Sequence, residues 1–132
     1  MQVYRISVHA KFSAAHSLMI GGQREPLHGH NWHVTVTVVG PELDSDGLLC
    51  DFHVIERVLR ECTGRFDNRS LNELPPFAGE PGSNPSAELV ARHIAEQVIS
   101  GTGPFLRGRA RIHAVRVTEA PGCAATYFPP DT

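Results

Sequence analysis

The sequence lacks three features, and each absence removes a class of function. There is no basic excess. Twelve Lys and Arg stand against fourteen Asp and Glu, a net charge of −2 with histidine neutral, and the cations are scattered along the chain rather than clustered, so no nucleic-acid partner is expected. There is no apolar run near the roughly 20 residues that a membrane helix needs. The three cysteines, Cys50, Cys62 and Cys123, are an odd number at spacings unsuited to a disulfide framework. The opening MQVYRISVHAKF alternates like a strand instead of carrying the apolar core of a signal peptide, and the cytosol is the expected compartment. What remains is 132 residues, 41% hydrophobic and 20% charged, which fits one globular domain over residues 1–132 with a core of its own.

Periodicity divides the chain into elements. Tyr4, Ile6, Val8, Ala10 and Phe12 alternate with Arg5, Ser7, His9 and Lys11, and Trp32, Val34, Val36 and Val38 alternate with His33, Thr35 and Thr37. Both runs read as half-buried strands, separated by a turn at Gly21-Gly22. Residues 40–47 are turn material. From Asp51, a plausible N-cap, Phe52, Ile55, Leu59, Cys62 and Phe66 follow at helical spacing. The stretch Asn72–Gly82, holding Pro75, Pro76, Gly79, Pro81 and Gly82, reads as a loop. A second helix is expected to open with Asn84 as cap and Pro85 at its first position, to carry Val90, Ile94 and Val98, and to stop at Gly101–Gly103. Strands over residues 109–118 and 124–128, joined by Ala120-Pro121-Gly122, complete the order ββααββ. Two helices on one face of a four-stranded antiparallel sheet is the simplest α+β packing of these parts.

Eight histidines are many for this length. His28 and His30 lie two apart at the mouth of the second strand, so their imidazoles share a face, with Gly29 between them to allow close approach of a ligand. His16 ends the first strand and can supply a third nitrogen from the neighbouring rung. Three histidines with no cysteine nearby would hold a metal ion, most simply Zn2+, with its fourth position open, as catalytic sites do. The alternative is three strand-end residues with ordinary hydrogen bonds. His9, His33, His53, His93 and His113 read as surface or packed residues.

The segments F-S-A-A-H (12–16), L-H-G-H-N-W (27–32), D-F (51–52), F-D-N-R-S-L-N-E-L (66–74), N-P-S-A-E (84–88) and V-T-E-A-P (117–121) fall in order along the chain. Together they resemble the 6-pyruvoyltetrahydropterin synthase and 6-carboxytetrahydropterin synthase family over nearly the whole length. The resemblance implies the tunnelling fold, or T-fold, in which trimers close a barrel and stack into a homohexamer with pterin sites between subunits. It also implies zinc on His16, His28 and His30, and a pterin ring clamped by Glu119. A carboxylate suits that role because it accepts two parallel hydrogen bonds from the ring's amino group and adjacent N–H. Ser86 occupies a pocket-lining place in the family and is equally an ordinary first-turn helix residue.

Two departures from the family pattern bear on activity. The family's catalytic cysteine precedes HGH at one of two spacings, and Arg24 and Gly22 stand there. Its Asp-His pair is here Asp67-Asn68, and asparagine cannot relay a proton at neutral pH. Asp67 alone remains of the triad. Glu25, three residues before His28, stands where some members carry a glutamate. Those members are associated with cleavage of 7,8-dihydroneopterin triphosphate to 6-hydroxymethyl-7,8-dihydropterin. A zinc-dependent pterin lyase with Glu25 as general base is the first expectation. A pterin-binding sensor or carrier without turnover is the second, and a zinc hydrolase of another kind would leave Glu119 unexplained.

Overall fold

Apolar alternation decides the register of the sheet. The computed structural model describes residues 3–79, 83–106 and 108–130, so Pro81 and Gly82 of the expected loop lie outside it. Strand β1 (Tyr4–His16) and strand β4 (His28–Gly40) run antiparallel over their full length, from Tyr4 opposite Gly40 to His16 opposite His28. Val8, Ala10 and Phe12 of β1 and Trp32, Val34, Val36 and Val38 of β4 are buried. A one-residue slip would turn this whole set to solvent, and each large side chain contributes roughly 1.5–3 kcal/mol by burial. The pairing is therefore strongly specified, and the faces on which His9, His16, His28, His30 and His33 emerge are specified with it.

Strand β6 (Arg111–Ala120) pairs antiparallel with β4, and β7 (Cys123–Tyr127) pairs antiparallel with β6. The four long strands and their order are those expected. Three two-residue strands, too short to show any period, are additional. Strands β2 (Met19–Ile20) and β3 (Gln23–Arg24) form a small hairpin around Gly21 and Gly22, both at positive φ. Strand β5 (Arg69–Ser70) joins the far side of β1 in parallel at Ala14–Ala15, giving the order β5-β1-β4-β6-β7. No other strand pairs with the outer edges of β1 and β7 among the described residues.

Both helices cover one face. Helix α1 (Phe52–Gly64) starts where expected, with the Asp51 carboxylate accepting from the backbone N–H of His53 at 2.8 Å. Ile55, Leu59 and Cys62 enter the core, whereas Phe52 is exposed and Phe66 is buried just beyond the helix end. Helix α2 (Ala87–Leu106) departs from expectation at both ends. Its cap is Ser86, whose Oγ accepts from Leu89 N–H at 3.2 Å, because the Asn84 side chain is held by the backbone of Met19 instead. It also runs through Gly101–Gly103 to Leu106. A Cβ on Gly101 would lie 2.6 Å from Val58 Cγ1, so that glycine permits close contact with α1 rather than ending α2. Pro104 falls in the last turn, where it removes one helical hydrogen bond at most. Val90, Ala91, Ile94, Ala95 and Val98 of α2 complete a single apolar core with α1 and the sheet. No described helix is long and apolar enough to cross a membrane.

Candidate metal centre and its carboxylates

The alternation that builds the core continues past its apolar end. Phe12, Ala14 and His16 share one face of β1. Trp32, His30 and His28 share the same face of β4, and Val115, Val117 and Glu119 share that of β6. Beyond the last apolar rung, three neighbouring strands thus present three imidazoles and one carboxylate toward one space. Trp32 forms its floor, with ring centroids 5.0 Å from His16 and 5.8 Å from His30, both edge-on.

The three imidazoles form a compact triangle with centroid separations of 4.7, 4.8 and 5.1 Å, each pair steeply inclined. One candidate ligand atom from each lies within 4.8 Å of the other two. His16 Nδ1 lies 2.8 Å from the Pro85 carbonyl, and His28 Nδ1 lies 2.9 Å from the Pro26 carbonyl. A carbonyl only accepts, so both Nδ1 atoms carry the proton and both Nε2 atoms keep a lone pair. This is the outer-shell arrangement that fixes the tautomer of a metal ligand. The Nε2 atoms of His16 and His30 are buried with no hydrogen-bond partner, a costly condition for a polar atom that no ligand satisfies. Burial holds the His30 imidazole below its ordinary pKa against the opposing pull of Glu119, which keeps it in the neutral form that ligates. The donor set fits a Zn2+ ion with one open position.

Two carboxylates reach this triangle. Glu119 lies 3.9 Å from Nε2 of both His16 and His30, and Glu25 lies 3.9 Å from Nε2 of His28. Each is about a quarter exposed. Glu119 sits where the β6–β7 register shifts, an irregularity of the kind that re-aims side chains beside sites. Glu25 is fixed by the segment that follows His16. Its N–H donates to the Leu18 carbonyl at 2.9 Å, its Oε1 accepts from Leu18 N–H at 3.0 Å, and its carbonyl accepts from Ser17 Oγ at 2.6 Å.

Sequence reasoning missed what holds that segment in place. Asn72 bonds both the N–H and the carbonyl of Ser17, and Asn84 bonds both the N–H and the carbonyl of Met19, all four contacts at 2.8 Å. Each amide acts as one rung of a β-ladder for a stretch that has no neighbouring strand on that side. Their only sequence signal was an asparagine within each of two motif segments, L-N-E-L and N-P-S-A-E.

The other expected site residues lie elsewhere. Asp67 accepts from Ser13 N–H at 2.9 Å on the outer edge of β1, in a cleft lined also by Lys11, His33 and Arg60, away from the histidine triangle of its own chain. Asn68 beside it has φ 60 and donates its N–H to the Ser13 carbonyl at 2.6 Å, a left-handed turn position that asparagine tolerates well. The Ser86 hydroxyl caps α2 and keeps its own proton available to donate. A Cβ on Gly29 would meet nothing within 4 Å, so no packing within the chain requires glycine there. Of the cysteines, Cys62 is buried in the core with its thiol pushed up to about 11 by burial, which removes it as a nucleophile.

Comparison with known proteins shows the family and the fold. The family model described as 6-pyruvoyl tetrahydropterin synthase matches residues 5–130. The 6-carboxy-5,6,7,8-tetrahydropterin synthase of Bacillus subtilis (strain 168) is 30% identical over 129 residues, covering 96% of this chain and 86% of the relative. Among solved structures, the 6-pyruvoyl tetrahydropterin synthase of Plasmodium vivax superposes with a TM-score of 0.79 at 23% identity, covering 98% of this chain and 99% of that one. The Caenorhabditis elegans enzyme gives 0.80 at 21% identity, covering 98% of each. These two likenesses establish the T-fold. The Plasmodium vivax enzyme has also been solved with a glutamate, termed a catalytic residue, replaced by alanine and by cysteine.

Proposed function

The chain belongs to the 6-pyruvoyl tetrahydropterin synthase family, and from that premise we propose that it is a zinc-dependent lyase acting on 7,8-dihydroneopterin triphosphate or a close relative, with 6-hydroxymethyl-7,8-dihydropterin as product. The observation that carries this reading is the convergence of two unpartnered, buried Nε2 atoms with Glu25 and Glu119 in one space. His16, His28 and His30 would hold the zinc, which when bound supplies Lewis acidity toward side-chain hydroxyls. Glu25 takes a proton as general base. Its Oε1 is tethered to Leu18 N–H and lies 3.9 Å from His28 Nε2, which holds the carboxylate beside the metal site. Glu119 accepts from the pterin ring edge, and Ser86, next to the Pro85 carbonyl that holds His16, would take the family's pocket-lining place once substrate is bound. The Plasmodium vivax enzyme is a precedent for a catalytic glutamate in the family.

Incubating zinc-loaded protein with dihydroneopterin triphosphate and identifying pterins by mass spectrometry tests the proposal. The expected product is 6-hydroxymethyl-7,8-dihydropterin. Tight binding with no product would favour the second reading, a pterin-binding homologue without turnover, for which Asn68 in place of the family's histidine is the supporting feature. The clamp has its own test. An amide mispairs one of the two hydrogen bonds that a carboxylate accepts, so Glu119→Gln should weaken pterin binding by about 1.5–3 kcal/mol in calorimetry. Unchanged affinity would return Glu119 to the role of a solvated strand-end charge.

Assembly follows from the sheet. The outer edges of β1 and β7 offer backbone donors and acceptors that a stable protein pairs or covers, and joining one to the other between copies generates a ring. We expect a hexamer built from two such rings, which would place Asp67 of one copy near the site of another. Light scattering that finds a stable monomer at working concentration would refute it. Three unpaired cysteines suit a reducing compartment such as the cytosol.

A further inference from the structure

The sheet face opposite the helices gathers charge that the sequence disperses. The four long strands contain one carboxylate, Glu119, and it belongs to the helix side with the histidine triangle. They contain four cations, Arg5, Lys11, Arg111 and Arg116, all exposed. The register sets His9, Thr35, Arg116 and Thr126 in one row across the open face, and Lys11, His33, Thr118 and Ala124 in the next. His9 and His33 stack at 5.4 Å, with His9 Nε2 3.3 Å from His33 Nδ1.

Two of the helix cations set a contrast, while Arg57 lies over the Phe105 ring. Arg60 and Arg92 are paired with Glu56 and Glu96 one helical turn away. Among the described residues Lys11 and Arg5 make no ion pair, and the Arg116 guanidinium reaches the Thr118 hydroxyl, at 3.3 Å. Asp67 is a carboxylate at the rim, where Arg60 also lies. With strands about 4.8 Å apart and alternate residues roughly 6.7 Å apart, Lys11 and Arg116 stand on the order of 12 Å from each other at Cα. Two such side chains can converge on an anion lying over His33 and Thr35. Arg5, six residues from Lys11, lies roughly 20 Å further along the strand, beyond the reach of a single phosphate.

We propose that this face binds a polyphosphate chain, with Lys11 and Arg116 as charged clamps and the imidazoles and threonine hydroxyls between them as hydrogen-bond donors. The rows from His9 to Thr126 hold no Phe, Tyr or Trp on which bases could stack, and the two imidazoles stack on each other, which argues against single-stranded nucleic acid. The site lies on the other side of the sheet from the metal centre and does not depend on the pterin reading.

Calorimetry at low salt with inorganic triphosphate as the probe tests it, using zinc-loaded protein. Binding should appear, weaken as salt rises, and fall roughly 10–100-fold in Lys11→Ala/Arg116→Ala. It should persist in Lys11→Arg/Arg116→Lys, in Arg60→Ala and in His28→Ala. A nucleoside triphosphate of equal affinity would show that the phosphate chain alone is recognised, and a tighter one would identify the source as a nucleotide. No detectable binding would overturn the proposal. So would retained binding in the folded Lys11→Ala/Arg116→Ala protein, loss of binding in His28→Ala, or tighter binding of a single-stranded oligonucleotide.

Discussion

Purified protein should carry about one zinc per subunit, and His28→Ala should remove most of it. His28 is the cleanest of the three positions to test. His16 is 1% exposed, so truncating it also opens a cavity and orphans the Pro85 carbonyl, confounding metal loss with lost stability. The His28 ring is 39% exposed at the rim, and its removal costs chiefly the ligand. Removing a group that merely hydrogen-bonds a metal ligand weakens metal binding by roughly 10–100-fold, and loss of one nitrogen of three should exceed that. The readouts are metal content by emission spectroscopy and melting temperature with and without zinc. A metal that binds only the folded state at about 100 times its Kd stabilises it by about 2.7 kcal/mol, so zinc should raise the wild-type melting point and leave that of His28→Ala nearly unmoved. Full zinc occupancy in a protein lacking all three histidines would defeat the assignment.

That site was legible in the sequence because it obeys strand parity. His16 continues Phe12 and Ala14, and His28 and His30 continue Trp32, so the pattern that buries the core also predicts where the imidazoles meet. Glu119 follows the same rule from Val117, although the sequence pointed to it only through the family resemblance. The features that escaped are those set by distant partners. Asn84 has the chemistry of a helix cap, but the Met19 backbone, 65 residues earlier, takes its amide, and capping passes to Ser86. Gly101 looks like a helix stop, but its missing side chain makes room for Val58. Strands of two residues carry no period at all. The scattered cations are the clearest case, since Lys11 and Arg116 become near neighbours only through the β1–β4–β6 register. Charge clustering is a property of the sheet and not of the chain.

Glu25→Gln separates catalysis from binding. The substitution keeps an oxygen able to accept from Leu18 N–H, now at 3.0 Å from Oε1, and leaves untouched the backbone pairing of residue 25 with Leu18 and the Ser17 hydroxyl's bond to its carbonyl. The hairpin and the histidines should therefore keep their places. What disappears is a group that can take a proton at neutral pH, since an amide oxygen is far too weak a base. Zinc content and pterin affinity should remain near wild type, while turnover of dihydroneopterin triphosphate should fall by roughly 10²–10⁴-fold, the usual contribution of a positioned general base. Glu25→Ala would be a poorer probe, because it also frees Leu18 N–H and loosens the segment bracketed by Asn72 and Asn84. The complementary change restores the family's own residues. Arg24→Cys with Asn68→His should raise pyruvoyl- or carboxy-pterin synthesis from a near-zero baseline, although the left-handed turn at residue 68 suits histidine less well than asparagine and should limit the gain. If wild type turns over no pterin triphosphate and Glu25→Gln cannot be told from it, the lyase proposal falls. The intact zinc and pterin binding would then describe a carrier or sensor that keeps the site without the chemistry.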